Sequence, residues 1–200
     1  MNLILASTSP YRRRLLERLR LPFTCIDPAV EESIRDGESP QARACRLATE
    51  KALSVAATLQ DEVIVIGSDQ VACLGDQILH KPGTSKAAIA QLTASSGQTV
   101  QFWTAVSVWT SPGEPPTQRV VPCAVKMRIL SNDEISRYVT LDHPLDCAGS
   151  FKWESLGITL FETLRTEDPT ALEGLPLIAL SELLREAGVS LPLAAQPAQN

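Results

Sequence analysis

The run Val63-Ile64-Val65-Ile66-Gly67 constrains the fold more than any other segment. Four consecutive β-branched residues without polar alternation fit a strand covered on both faces, which places it inside a sheet flanked by helices. The segments before it agree. Leu3-Ile4-Leu5-Ala6 is a short apolar run closed by Ser7-Thr8-Ser9-Pro10, after which Leu15, Leu16 and Leu19 fall at helical spacing. Ser9 suits the N-cap of that helix and Pro10 its first position. Phe23 to Asp27 reads as a second strand. Ser39-Pro40 repeats the cap signal before a helix from Ala42 to Thr58, kept in phase by Leu47, Ala48, Lys51, Ala52 and Val55.

The order is therefore βαβα before the central strand, whose carboxyl end is expected at Ser68-Asp69-Gln70. Val71 to His80 reads as a tight hairpin about Gly75-Asp76, and Ser85 to Ala94 as a helix. Thr99 to Thr110 and Gln118 to Leu130 form a long hairpin across the loop Ser111 to Pro116. Ser131 and Glu134 form a capping box before a helix to Val139. Ile158 to Phe161 reads as another strand, Pro176 to Ala187 as a closing helix and 191–200 as a flexible tail. This pattern predicts an α/β protein with a mixed sheet, its ligands bound beyond strand ends. A single domain over residues 1–190, with two lobes around one cleft, is the expected organisation.

Composition limits the partners. Of 200 residues, 44% are apolar and 20% charged, a globular balance, and the net charge of −5 argues against general binding to nucleic acid or a membrane surface. No stretch approaches a membrane span. Within residues 1–20, five arginines stand against Glu17 alone. The strand and capped helix there fit better than a targeting segment, so a cytoplasmic location is expected. Cys25, Cys45, Cys73, Cys123 and Cys147 are widely spaced without a CxxC pair, which suggests buried free thiols. His80 and His143 are the only histidines, too few for a histidine metal site.

The common phosphate-loop, dinucleotide, zinc-protease and serine-hydrolase signatures are absent. Four segments remain as carriers of chemistry. Ser7 to Arg13 combines hydroxyls, a helix N-terminus and guanidiniums, which together suit a polyanion, although a capped helix with a solvated arginine face explains it too. Asp69 after a buried run suits a metal ligand or a base for water, or is a polar strand end. Glu31-Glu32, Lys51 and Lys81 are each compatible with a charged surface. In Cys147 to Gly157, Phe151, Trp153 and Glu154 suit a flat base or the edge of a core.

Taken together, LASTSPYRR at Leu5 to Arg13, EE at Glu31-Glu32, EKA at Glu50 to Ala52, GSDQV at Gly67 to Val71 and KP at Lys81-Pro82 resemble the Maf family of nucleoside triphosphate pyrophosphatases. CAGSFKWESLGI at Cys147 to Ile158 and LEGLPLIAL at Leu172 to Leu180 complete the resemblance, which covers nearly the whole chain. It implies a Maf/ITPase-like α/β fold: a mixed twisted sheet with flanking helices and a cleft between two lobes. SDQ and the AGSFKWE segment are similar to the branch acting on 7-methylguanosine triphosphate.

The resemblance further implies that Asp69 is the general base, that Ser7, Arg12, Arg13, Lys51 and Lys81 contact the triphosphate, and that Glu32 and Asp69 hold a divalent metal, Mg²⁺ or Mn²⁺. Tyr11, Gln70 and Glu154 would select the base. Tyr11 replaces the usual tryptophan of that branch, and Glu31 the usual aspartate of the acidic pair. An aromatic ring and a carboxylate would favour the cationic methylated base over neutral ones. The family also carries two other readings, a nucleotide-binding regulator of septum formation without turnover and a pyrophosphatase for another non-canonical nucleotide. A homodimer is the family expectation for assembly.

Overall fold

A computed structural model describes residues 2–59 and 62–192. Its sheet contains β1 (Asn2–Ala6), β2 (Phe23–Ile26), β3 (Val63–Leu74), β4 (Gln77–Leu79), β5 (Thr99–Trp109), β6 (Thr117–Met127) and β7 (Phe161–Thr166). The helices are α1 (Pro10–Glu17), α2 (Pro40–Ala56), α3 (Ser85–Ser95), α4 (Asn132–Asp142) and α5 (Leu177–Glu186). Strand order is β2-β1-β3-β5-β6-β7, with β4 added to β3. β1 runs parallel to β2 and β3, and the remaining pairings are antiparallel. The sheet is thus mixed, as the order of elements predicts.

β3 is central and longer than its apolar run. Ser68, Asp69 and Gln70 do not end it, because β5 pairs with it continuously from Val65↔Trp109 to Leu74↔Val100 and holds the backbone extended. On its other edge the pairing is interrupted. β1 reaches only Leu5↔Ile66, and β4 joins from Ala72↔Leu79. Between them Gly67 to Val71 lack a neighbouring strand on that side, which puts the polar triplet beside the carboxyl end of β1. Open α/β sheets place ligands at such an end.

The helices bury both sheet faces. Leu15 and Leu16 of α1 and Leu180, Leu183 and Leu184 of α5 pack with Leu5, Ile64 and Ile66. α2 covers the opposite side through Ala44, Ala48, Ala52 and Val55, packed in two clusters with Ile4, Val65, Val71 and Ala105. Its approach is close: a Cβ on Gly67 would lie 2.1 Å from Ala48 O and 2.7 Å from Ala52 N. Small residues here let helix and strand backbones meet. Toward β7, Phe102, Phe151 and Phe161 stack edge to face at centroid distances of 5.5 and 4.8 Å, and α3 and α4 close over them.

The expected caps form. Ser9 and Ser39 accept from the backbone N–H of Arg12 and Ala42, each followed by proline, and Ser131 with Glu134 completes the capping box. Three further expectations are corrected. Ile158 to Leu160 lie in a 3₁₀ turn (Leu156–Leu160) and the strand begins only at Phe161, because Gly157 N–H folds back onto Lys152 O at 2.9 Å. The helix placed to Val139 extends to Asp142. The five cysteines are free, but only Cys73 and Cys123 are buried; Cys25 is exposed on the edge strand β2, while Cys45 and Cys147 are half-buried. The tail from residue 193 lies outside the described residues. Among those described, no helix is long and apolar enough to cross a membrane.

Candidate functional site

A cleft of about 490 Å³ opens where β1 stops beside β3. Its polar and charged side chains come from three elements and the loops between them. β3 brings Asp69, α2 brings Lys51, the turn before α1 brings Ser7, and α1 brings Arg12. Glu32 and Lys81 enter from loops. Lys51 is the hub: buried, it donates to Asp69 Oδ1 at 2.6 Å and to Glu32 Oε1 at 2.5 Å. Burial pushes the Glu32 carboxyl up, but the bond and charge of Lys51, with the charges of Arg12 and Lys81, outweigh it and hold the carboxyl below its ordinary range.

Asp69 is 5% exposed. Its Oδ1 is held by Lys51, while Oδ2 has no partner among the described residues and is not sealed from the cleft. One oxygen is fixed and the other is open to a ligand. Ser7, also buried, accepts from Ser9 N–H at 3.1 Å and so shapes the turn into α1. Arg12 donates through Nε to Gly174 O at 2.9 Å, which ties the start of α1 to the C-terminal part of the chain.

The loop bearing Glu32 is stapled to α2. Arg43, 7% exposed, donates to Glu32 O at 2.7 Å and Ser33 O at 3.3 Å. Arg46 donates to Ser33 O and grips Glu38 through two bonds of 2.6 Å. Sequence reasoning missed both arginines. Their only signal was position, one and two turns before Lys51 on the same helix.

The second part of the cleft carries Tyr11, Asp146, Phe102, Trp153, Glu154 and Glu173. Tyr11 donates to Asp146 Oδ2 at 2.9 Å, and the Arg14 guanidinium lies 5.0 Å from its ring centroid. Burial pushes the Tyr11 phenol up, with Cys147 and Asp146 adding to it. Cys147, on the same wall, is pushed up to about 12, first by burial and then by the Asp146 charge. The indole nitrogen of Trp153 is buried without an acceptor among the described residues. Asp146 and Glu173 were not legible as site residues in the sequence.

Of the residues singled out from sequence, Ser7, Tyr11, Arg12, Glu32, Lys51, Asp69, Gln70, Lys81 and Glu154 all line this cleft. Arg13 does not. The helix turns it about 100° from Arg12, and it pairs instead with Glu17 at 3.1 Å on the exposed face of α1. Glu31 is likewise exposed and absent from the cleft lining.

The donor set suits a divalent cation. Glu32 and Asp69 already converge on one positive centre, the Lys51 ammonium. Among the described residues no third His, Cys, Asp or Glu joins them in a metal-binding group. Mg²⁺ is typically held by one or two carboxylates and completed by water and phosphate oxygens, so two suffice.

Fold and cleft together define a mixed α/β protein with a charged and aromatic pocket at a strand end. The chain belongs to the Maf-like protein family, which it matches over residues 2–187. It is 57% identical over 190 residues to a protein of Xanthomonas axonopodis pv. citri (strain 306) named 7-methyl-GTP pyrophosphatase, covering 95% of this chain and 98% of that one. A protein of the same name from Aromatoleum aromaticum (strain DSM 19018 / LMG 30748 / EbN1) is 55% identical over 190 residues, covering 95% and 97%. The fold resembles that of the Staphylococcus aureus Ham1 protein, with a TM-score of 0.53 at 13% identity over 94% of this chain and all of that one.

Proposed function

We propose that this chain hydrolyses 7-methylguanosine triphosphate between its α and β phosphates, releasing the nucleoside monophosphate and diphosphate. One observation carries the reading: a buried carboxylate with one oxygen fixed and one open, set in a cleft with three cationic side chains and a separate aromatic and acidic group. The names of the similar proteins support the substrate.

Water is the nucleophile. Asp69 Oδ2 orients it and takes its proton, and the bond from Lys51 to Oδ1 holds the carboxylate in place. Arg12, Lys51 and Lys81 stabilise negative charge on the triphosphate and the departing diphosphate, with Ser7 as a nearby hydroxyl. A divalent metal, Mg²⁺ or Mn²⁺, held by Glu32 and Asp69 would supply further charge neutralisation on the phosphate oxygens. Tyr11, Trp153 and Glu154 face the base, whose positive charge after N7 methylation suits an aromatic ring and a carboxylate. A regulator that only binds nucleotide leaves the buried, half-open carboxylate without a role.

The test is a panel of canonical, N7-methylated and deaminated nucleoside triphosphates incubated with Mg²⁺ and scored for diphosphate. Preferential cleavage of the methylated guanosine compound is expected. Equal or better cleavage of inosine or xanthosine triphosphate would move the substrate elsewhere, and no cleavage at all would return the chain to the binding role.

A further inference from the structure

The 3₁₀ turn Pro169–Glu173 forms part of the cleft wall and, with Gly174 after it, is pinned by three side chains of the sheet and one of α1. Gln70 Nε2 lies 2.8 Å from Ala171 O, 3.2 Å from Leu172 O and 3.1 Å from Thr104 Oγ1. Thr104 gives its own hydrogen to Ala171 O at 2.8 Å, so all three neighbours present acceptors, which share the two hydrogens of Gln70. The amide nitrogen must therefore sit on this side, with both hydrogens occupied. On the far side of Glu173, Ser68 Oγ and Arg12 Nε each lie 2.9 Å from Gly174 O. Gly174, with φ of 101°, turns the chain away.

Glu173 is thus fixed through the carbonyls on both sides of it, while its side chain makes no hydrogen bond among the described residues and lines the cleft. It is half-buried. Burial, then the charge of Glu154, pushes its carboxyl up against the opposing pull of Arg18, which caps the first helix, and Arg14 within it. Glu154 and Glu173 line the same cleft, so a cation bound there offsets the charge of both carboxylates.

We propose that Glu173 joins Glu154 in a two-carboxylate reader of the cationic N7-methylated guanine, and that Gln70 is a positioning residue that sets base selectivity by holding this turn. The proposal rests on the function proposed above. Guanine and its N7-methylated form both offer N–H donors, so hydrogen bonding alone does not separate them; the positive charge of the methylated ring does. Gln70, its amide donors occupied by the turn, influences the base through Glu173.

The experiment measures kcat/KM for 7-methylguanosine triphosphate and for GTP in the wild type, Glu173→Gln, Gln70→Met and the double variant. Calorimetric binding of the two monophosphates and a thermal melt accompany each. Glu173→Gln should lower the methylated-to-unmethylated ratio about tenfold, mostly through KM, since a charged contact is replaced by a neutral one. Gln70→Met should lower it similarly, and the double variant should fall no further than the larger single effect, because both act through one carboxylate. Glu173→Asp should retain part of the preference, and Thr104→Val, which loosens the same turn by another bond, should mimic Gln70→Met if that variant does not fold. An unchanged ratio in folded Glu173→Gln would overturn the reader. Multiplying effects in the double variant would overturn the positioning role of Gln70. A wild type without preference for the methylated nucleotide would instead overturn the underlying function.

Discussion

Lys51 offers the sharpest perturbation of the site. Its ammonium bridges Asp69 at 2.6 Å and Glu32 at 2.5 Å, and the side chains of Lys51 and Asp69 are 7% and 8% exposed. Lys51→Met keeps the bulk of the chain but leaves the Asp69 carboxylate inside the sheet without its counter-charge. Breaking a buried pair from one side costs about 3–5 kcal/mol. Asp69 Oδ2 opens to the cleft, so water offsets part of this and the lower end, about 3 kcal/mol, applies. The contact with Glu32, whose side chain is 53% exposed, adds about 0.5 kcal/mol or less after solvent screening. For a chain of this length the loss corresponds to roughly 6–12 °C in melting temperature. Urea unfolding followed by circular dichroism at neutral pH gives the free energies, with an unchanged slope as the check on two-state behaviour. Lys51→Met/Asp69→Asn removes both charges and should recover about 2 kcal/mol of the loss. A single variant within about 1 kcal/mol of wild type, or a double variant equal to the sum of the singles, would refute the buried pair as described.

Other outcomes test the frame around the site. Gly67→Ala forces a methyl against the carbonyl of Ala48 and should destabilise by about 3 kcal/mol or more, because backbone on both sides must move; a loss under about 1 kcal/mol by urea unfolding would contradict the close packing of α2 on β3. Glu32 has a folded-state carboxyl below its ordinary value, so the stability it contributes is fully present above the unfolded value and is lost as pH falls through the folded one. Wild type should therefore lose stability more steeply than Glu32→Gln between about pH 5 and 3, and parallel profiles would argue against the link to Lys51. Ser131→Ala removes a capping box and should cost about 1 kcal/mol by the same unfolding measurement, with no change in diphosphate release.

Much of this arrangement was legible because short-range rules and motifs agree. The Ser-Pro caps at Ser9 and Ser39 and the β-branched run at Val63 to Ile66 announce elements that depend on local geometry and burial on both faces. What escaped was decided by distant pairing. Nothing local says that β5 carries β3 through Ser68 to Gln70, since polar residues at that spacing end many strands. Ile158 to Leu160 look like a strand, yet Gly157 and its bond to Lys152 O make a turn, and the real strand starts at Phe161.

The site divides in the same way. Nine of the expected site residues meet in one cleft, but Arg13 is lost to the helix period and the parts played by Arg43, Asp146 and Glu173 appear only once the fold is drawn. Arg43 is invisible because an arginine on an alanine-rich helix usually points to water, whereas this one is buried under two loop carbonyls. Glu173 sits in a motif whose glycine and proline suggest only a turn; its exposure to the cleft follows from the bonds of Gln70, Ser68 and Arg12 to the carbonyls around it.

The measurement closest to the centre of the account compares wild type with Asp69→Asn for diphosphate release from 7-methylguanosine triphosphate, alongside their melting curves. Loss of the base should lower turnover by about 10²–10⁴-fold while the variant still unfolds cooperatively. A cooperatively folded Asp69→Asn that releases diphosphate at the wild-type rate would remove Asp69 from the chemistry, and with it the assignment of this cleft.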